Sequence, residues 1–534
     1  MFSKRFRWVF CQLEVLRHSF PANLRHVLME LPQSLDETYV RILKEIKNAN
    51  RKHAYRLLQC LVATFRPLRV EELAQVLAVD FNAEGIPKFN PILRWEDQEM
   101  AVLSTCSSLV AVVIENGFQV VQFSHFSVKE FLTSDRLASS KEEVAQFHIS
   151  VEPSHATLAR ACLSVLLCLD DRSDEDSIKE IPLLRYASEY WYRHAAVGNV
   201  ESQIKDAMDR FFDTDKPHFS AWIRIRHQFD LLTVSESKPP KAVPLPAAPL
   251  YFAAKMGFRG QVERLLLKYP QQVNCLGSLY GTPLHASVLG GHIEVARLLF
   301  AHGADVNFQR DDGQTPLHFA TSHGHLEVAR LLLERNAEVN ARDSFGSTPL
   351  LNASMNGNAD VVRLLLDNNA DVRAHYDNGD TSLHLAAVYG HLKVARLLLE
   401  RNADVDSRND LGSTPLFNAS VNGNLDFVRL LLDHNADPYA RDNNGDTSVH
   451  FATSHGHLEV ALLLLERNAE VNACDNVGST PLLNASVTVN GNPVRLLLEH
   501  NADAHAHDNI QPDTLTNYLQ KSQPELEIEV TSGG

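Results

Sequence analysis

Thr282, Thr315, Thr348, Thr381, Thr414, Thr447 and Thr480 stand 33 residues apart without a slip. A fixed period of this length means one supersecondary unit repeated along the chain, each copy unable to bury its apolar face alone. The stretch from Thr315 to Ser347 shows what the unit is. Thr315 is a helix N-cap type, and Pro316 suits the first helical position, where a missing N–H costs nothing. Leu317 and Ala320 begin an apolar face, and Gly324 ends this short helix as a left-handed cap. Leu326, Val328, Ala329, Leu331, Leu332 and Leu333 form a wide apolar stripe, which predicts a second and more buried helix. Asn336 takes the next cap position, and Asp343 to Gly346 is turn chemistry for a projecting finger. Two helices and a finger have no core of their own, so stacked neighbours must supply it.

The phrase around each Thr reads Gly281-Thr-Pro-Leu-His285, Thr315-Pro-Leu-His318, Thr381-Ser-Leu-His384 and Thr447-Ser-Val-His450. This phrase at this period resembles the ankyrin repeat. The resemblance implies a helical solenoid that presents a binding surface and rarely carries chemistry of its own. Eight units are expected within residues 248–512. The first, from Ala248, lacks the Thr and His and is expected to be an N-terminal cap. The eighth, from Thr480, is disturbed: its Asn490-Gly-Asn-Pro493 is displaced by two residues from Asn356-Gly-Asn358 of the fourth, and Pro493 is tolerable only near a helix start. Residues 513–534 are expected to be a capping turn and a disordered tail.

A second period of 66 overlies the first. Units from Thr315, Thr381 and Thr447 carry the His and then Gly324-His325, Gly390-His391 and Gly456-His457. Units from Thr348, Thr414 and Thr480 carry Leu351, Phe417 and Leu483, followed by Asn352, Asn418 and Asn484. The array reads as a duplicated two-repeat block. The three Asn-Ala-Ser triplets match the N-glycosylation pattern but fall inside first helices, where an acceptor does not belong.

The N-terminal half has another pattern. Helices are expected over Leu31 to Leu43, His53 to Phe65 and Pro67 to Leu77, then β-rich runs Ser108 to Ile114 and Phe118 to Phe123 around Glu115-Asn116-Gly117. Asn-Gly between two such runs is the strongest short hairpin signal. Phe126 to Leu132 returns to helix. Helices followed by a hairpin predict a winged-helix domain over 31–135. More helices over 136–233 include core stretches Leu158 to Leu169 and Leu183 to His194, with an acidic loop from Asp170 to Asp176. Pro239, Pro240, Pro244, Pro246 and Pro249 mark an extended linker over 234–247. The fold class expected is mainly α: an ankyrin-repeat solenoid of about eight repeats preceded by a helical and winged-helix-like α+β module.

Residues Arg5 to Arg17 resemble the closing segment of a NACHT nucleotide-binding module. Leu31 to Leu43, Arg66 to Leu73 and Phe123 to Leu132 resemble the segments C-terminal to that module in fungal NLR-like NACHT–ankyrin proteins. In that family the NACHT module binds ATP or GTP and switches oligomerisation. This chain has no G-x-x-x-x-G-K-[ST] and no Gly-Lys pair anywhere, so nothing in it cradles phosphates. Residues 1–30 therefore read as a remnant of such a module, and no cofactor is expected.

Chemistry finds little support. The chain has 25 His, but His285, His318, His384 and His450 fall at the repeat's structural position, which ties one loop to the next. His292, His325, His391 and His457 begin second helices, and the spacing of His500, His505 and His507 fits no zinc pattern. No catalytic or metal set stands out. Seven cysteines without C-x-x-C read as reduced thiols. No apolar run approaches the roughly 18 residues of a membrane helix, and no signal peptide opens the chain. A cytoplasmic protein is expected, with the nucleus as the alternative compartment.

Charge is uneven. Residues 1–247 hold 30 basic and 32 acidic side chains, so the net excess of −16 lies mostly in the repeat half. That sign argues against nucleic acid and suits a basic protein partner. The third helix of the winged-helix domain, which would read DNA, runs Glu71-Glu-Leu-Ala-Gln-Val-Leu77 and lacks the Lys or Arg that phosphates need. The function expected is a non-catalytic scaffold or adaptor that binds a protein partner. A fragment of a NACHT-type ATP- or GTP-dependent switch is the first alternative and a transcription regulator the second. In the ankyrin resemblance, partners lie against finger tips and the exposed side of first helices. The candidate tips are Arg310, Phe345, Tyr376, Leu411 and Asn444, and the candidate helix positions Leu289, His323, Met355, Tyr389, Asn422 and His455. Phe345, Met355, Tyr376 and Tyr389 fall in adjacent units and are expected to form an apolar, aromatic patch, since aromatics dominate interface hot spots.

Overall fold

The computed structural model describes residues 34–81, 86–90, 100, 102–103, 109–140, 143–170, 180–233, 248–277, 281–487 and 491–504. Residues 1–30, the acidic loop after Asp170, the linker 234–247, His505, His507 and the tail 513–534 lie outside them. The chain divides into two compact units, Met1–Leu279 and Tyr280–Gly534.

The first unit opens with α1 (Leu35–Glu45), which begins at Ser34 because the Ser34 hydroxyl accepts a hydrogen bond from the Glu37 N–H at 3.2 Å. Then come α2 (Arg51–Ala63), the short strand β1 (Leu68–Arg69) and α3 (Val70–Leu77). A two-residue pairing of β2 (Val79–Asp80) with β3 (Lys88–Phe89) precedes the hairpin of β4 (Val110–Glu115) and β5 (Phe118–Phe123). The hairpin turns at Asn116 and Gly117, both at positive φ (51° and 80°), as a two-residue type I′ turn requires. β1 adds to its edge in the antiparallel order β1-β5-β4. The expected third helix starts three residues late because Leu68 and Arg69 join this sheet. α4 (Phe126–Leu132) closes the domain, its Ser127 hydroxyl 2.8 Å from that of Tyr39.

The helical module comes next: α5 (Asp135–Ala138), α6 (Val151–Leu166), α7 (Leu183–Ala195), α8 (Val200–Gln203), α9 (Lys205–Phe211) and α10 (His218–Thr233). Its core is aromatic. Trp191 meets Phe211 at 5.1 Å and Trp222 at 6.1 Å between ring centroids, in edge-on geometry. The first repeat, α11 (Pro249–Lys255) and α12 (Arg259–Lys268), shares that core: Phe258 lies 5.7 Å from Trp191 and Phe252 5.4 Å from Phe219. Arg264 pairs with Asp209 at 2.5 Å and Lys268 with Asp213 at 2.9 Å on the rim.

The second unit is the solenoid, with seven helix pairs from Pro283–Leu289 and Ile293–Ala301 to Pro481–Val487 and Gly491–Glu499. First helices pack on first helices and second on second. In the third repeat Leu317, Ala320, Val328, Ala329, Leu331 and Leu332 are buried. Each large aliphatic side chain so buried contributes about 1.5–3 kcal/mol, which is what holds helices too short to persist alone. Asn336, Asn369, Asn402, Asn435, Asn468 and Asn501 all hold φ between 60° and 65°, so every second helix from the third repeat onward ends in the same left-handed cap.

Candidate partner-binding face

Three sets of hydrogen bonds fix the backbone from which the candidate side chains project. In the first, Thr315 N–H donates to His318 Nδ1 at 3.1 Å, and His318 Nε2 donates to the Ser347 carbonyl of the next finger at 3.1 Å. Nδ1 accepts, so the ring is neutral with its proton on Nε2. His285, His384 and His450 repeat the arrangement on Gln314, Ser413 and Ser479. Burial pushes His285 down to about 4 and lowers the other three as well. In the second, His325, His391 and His457 donate from Nε2 to the carbonyls of Leu289, Met355 and Val421 in the preceding repeat. In the third, neighbouring finger tips join: the N–H groups of Asp377, Asp410, Asn443 and Asn476 donate to the carbonyls of Phe345, Asn378, Leu411 and Asn444 at 2.8–3.2 Å. Within the fingers, Asp343, Asp442 and Asp475 each accept two backbone N–H bonds through Oδ1, and Asn409 does the same in the fifth repeat.

These bonds define the exposed register. Two adjacent tip positions per repeat are exposed. The first holds the polar residues Asp311, Ser344, Asp377, Asp410, Asn443 and Asn476. The second holds Phe345, Leu411 and Asn444, as expected, together with Asn378 and Val477, while Asp312 at the same place is half-buried. Counting in steps of 33 from Phe345 would have found Asn378 and Val477. Arg310 and Tyr376 belong two residues earlier, at the position of Asp343. Arg310 is half-buried, ion-paired to Asp312 at 3.0 Å and over the Phe319 ring. Tyr376 is half-buried with its hydroxyl 3.3 Å from Asn352 Oδ1, so neither is a tip. On the first helices, His323, Tyr389, Asn422 and His455 share one exposed position, with Tyr389 stacked on His391 at 6.0 Å and His455 on His457 at 6.1 Å. Leu289 and Met355 lie one residue earlier and are half-buried. The expected four-residue patch is thus split. Phe345 and Tyr389 are displayed, at 66% and 56% exposure, while Met355 and Tyr376 are largely part of the scaffold. Val388 and Tyr439 are exposed apolar positions that the sequence pattern does not single out.

The third helix of the winged-helix domain is largely covered within its own unit. Val70, Glu72, Leu73, Ala74, Gln75, Val76 and Leu77 of α3 are all buried, and Gln75 Oε1 accepts the N–H of Leu183 at the start of α7 at 2.8 Å. Among the described residues no group of three or more His, Cys, Asp or Glu is placed to hold a metal, and no helix is long and apolar enough to cross a membrane. Cys60, Cys162, Cys168, Cys275 and Cys474 are free thiols, and burial pushes Cys60 up to about 12.

Comparison with known proteins agrees with this architecture. Residues 250–343, 336–409 and 401–475 match the family described as ankyrin repeats (3 copies), and residues 43–145 match the winged-helix domain of GPI inositol-deacylase. The chain therefore carries an ankyrin-repeat array behind a winged-helix domain of the kind found after NACHT in fungal NACHT–ankyrin proteins. Such an array points to a role in protein–protein interaction. The azaphilone pigments biosynthesis cluster protein L of Monascus ruber is 31% identical over 284 residues, which cover 50% of this chain and 58% of that protein. The chain thus spans less than two thirds of that relative's length. The crystal structure of the human ASB11 ankyrin repeat domain aligns at 28% identity over 42% of this chain and 99% of its own, with a TM-score of 0.39.

Proposed function

We propose that this chain is a non-catalytic adaptor that binds a protein partner across the finger tips and the exposed ends of the first helices. The observation that carries the reading is the contrast between frame and display. Buried positions repeat with little change, whereas the outward tip changes from Phe345 through Asn378, Leu411 and Asn444 to Val477. A backbone held by three sets of repeating hydrogen bonds presents varied side chains at little entropic cost, which favours binding. Reading of DNA is disfavoured because α3 is covered by α7 and lacks basic residues.

The test is capture of native partners by the immobilised chain, compared with Phe345→Ala/Tyr389→Ala. Both side chains are exposed, so thermal stability should hold while the captured partner is lost. A double variant that captures every partner at full strength would remove this face from consideration. A micromolar response to an ATP analogue would instead favour the nucleotide-switch alternative.

A further inference from the structure

We infer that the partner of this face is an extended basic segment whose apolar side chains recur about every six residues, an inference that rests on the partner-binding reading above. The outward tips alternate. Phe345, Leu411 and Val477, at 66%, 69% and 42% exposure, stand two repeats apart, and Asn378 and Asn444 stand between them. The tip-to-tip hydrogen bonds hold these side chains in one row. Packed helices stack about 8–10 Å apart, so tips two repeats apart are separated by roughly 20 Å. An extended chain advances about 3.3 Å per residue and covers that distance in about six residues. A partner helix would need apolar contacts about every 5 Å along a continuous groove, and the intervening Asn378 and Asn444 deny it that.

The charge of the occupant follows from where the acidic residues lie. The six connecting loops (303–314, 336–347, 369–380, 402–413, 435–446 and 468–479) hold sixteen acidic and five basic side chains. The helix pairs between them (282–302, 315–335, 348–368, 381–401, 414–434 and 447–467) hold ten and nine. The negative excess of the array is therefore concentrated on the finger side. Of the five loop cations, Arg342 and Arg408 donate to the carbonyls of His375 and Arg441 at 2.6 Å, Arg441 donates to that of Cys474, and Arg310 pairs with Asp312. They serve the scaffold as well as offsetting charge. Apolar tips in a negative field suit apolar anchors separated by Lys or Arg, and the same field repels nucleic acid.

The experiment uses the full chain and labelled synthetic peptides of about fifteen residues, read by fluorescence anisotropy. One peptide carries Leu at every sixth position with Lys, Arg and Ser between; a second has the same composition with its Leu residues adjacent. The spaced peptide should bind about tenfold more tightly, and Phe345→Ser/Leu411→Ser/Val477→Ser should weaken it by about tenfold at unchanged melting temperature. Raising salt from about 0.02 M to about 0.3 M should weaken both peptides, because the Debye length shortens. Equal affinity for the two peptides, an unaffected triple variant, or no binding to either at low salt would each overturn the inference. If the peptides fail while Phe345→Ala/Tyr389→Ala still loses a native partner, only this inference falls and the partner-binding reading stands.

Discussion

His450 accepts the backbone N–H of Thr447 on Nδ1 at 3.0 Å, and the Thr447 hydroxyl lies 2.9 Å from the same nitrogen. Its other nitrogen donates to the Ser479 carbonyl of the following repeat at 3.3 Å, so one buried ring caps a helix and ties two repeats. Truncation leaves a buried donor and a buried acceptor unmet. His450→Ala should therefore cost about 2–6 kcal/mol, from about 1–3 kcal/mol for each of the two unsatisfied groups. Urea unfolding of the array measures this; a loss no larger than that of an exposed change such as His455→Ala would mean the ring is not a tie.

Acid should loosen the same ties. Burial holds His285 at about 4 and lowers His318, His384 and His450, so each folded-state value lies below that of the unfolded chain. Between those values the unfolded chain takes up protons that the folded array refuses. The histidine contribution is thus fully present above about pH 6.5 and is lost as pH falls toward about 4, amounting to about 3 kcal/mol for His285 alone. Two carboxyls oppose this. Burial, Asp442 and Asp475 raise Asp446 to about 6, a shift comparable with that of His285, and burial raises Asp406. Both protonate in the folded array first, so the net loss rests on four rings against two carboxyls. The urea midpoint should fall from pH 7.5 to pH 5, and His285→Leu should flatten the profile. A midpoint constant over that interval would contradict the buried neutral rings.

The repeats were legible because a 33-residue period leaves no freedom in phase, and the tying His follows from its place three residues after Thr. The exposed register was less legible. In the fourth finger, Tyr376 replaces the Asp that the third, sixth and seventh repeats use to accept two backbone N–H groups. An aromatic in an acidic turn looks displayed, but its ring lies against the scaffold and its hydroxyl reaches Asn352. Met355 misled in another way. It ends a helix, and one residue of phase separates half-buried Met355 from exposed Asn356. The union of the first repeat with Trp191, Phe219 and Trp222 had no signal, because aromatic contacts between elements distant in sequence carry no period.

Gly390 sits at φ 73° just past the first helix of its repeat, and a Cβ added there would lie 3.2 Å from Asn424 Nδ2. Gly390→Val combines a left-handed backbone with a β-branched side chain and should cost about 1–3 kcal/mol. Gly303, at φ 85° with no atom within 4 Å of an added Cβ, separates backbone strain from crowding. Gly303→Ala should cost less than Gly390→Val in thermal unfolding; the reverse order would mean crowding is unimportant at Gly390.

Glu72 is buried in α3, where its carboxylate accepts two bonds from the Arg66 guanidinium at 2.6 and 2.7 Å and a third from the Arg69 N–H at 2.8 Å. The pair fixes how the chain enters α3 after β1. Its attraction is largely offset by the cost of removing two charges from water, so the two partners are worth more to each other than to the fold. Glu72→Gln keeps the shape but leaves Arg66 without its counter-charge, and the expected loss is about 3 kcal/mol, the low end for a broken buried pair because Arg66 keeps some contact with water. Replacing both, as Glu72→Leu with Arg66→Met, should recover a large part of that loss. Guanidinium unfolding of the wild type and both variants, followed by the emission of Trp191 and Trp222 in the same unit, gives the comparison. A double variant as unstable as Glu72→Gln would mean that the bonds themselves, and not the stranded charge, set the cost.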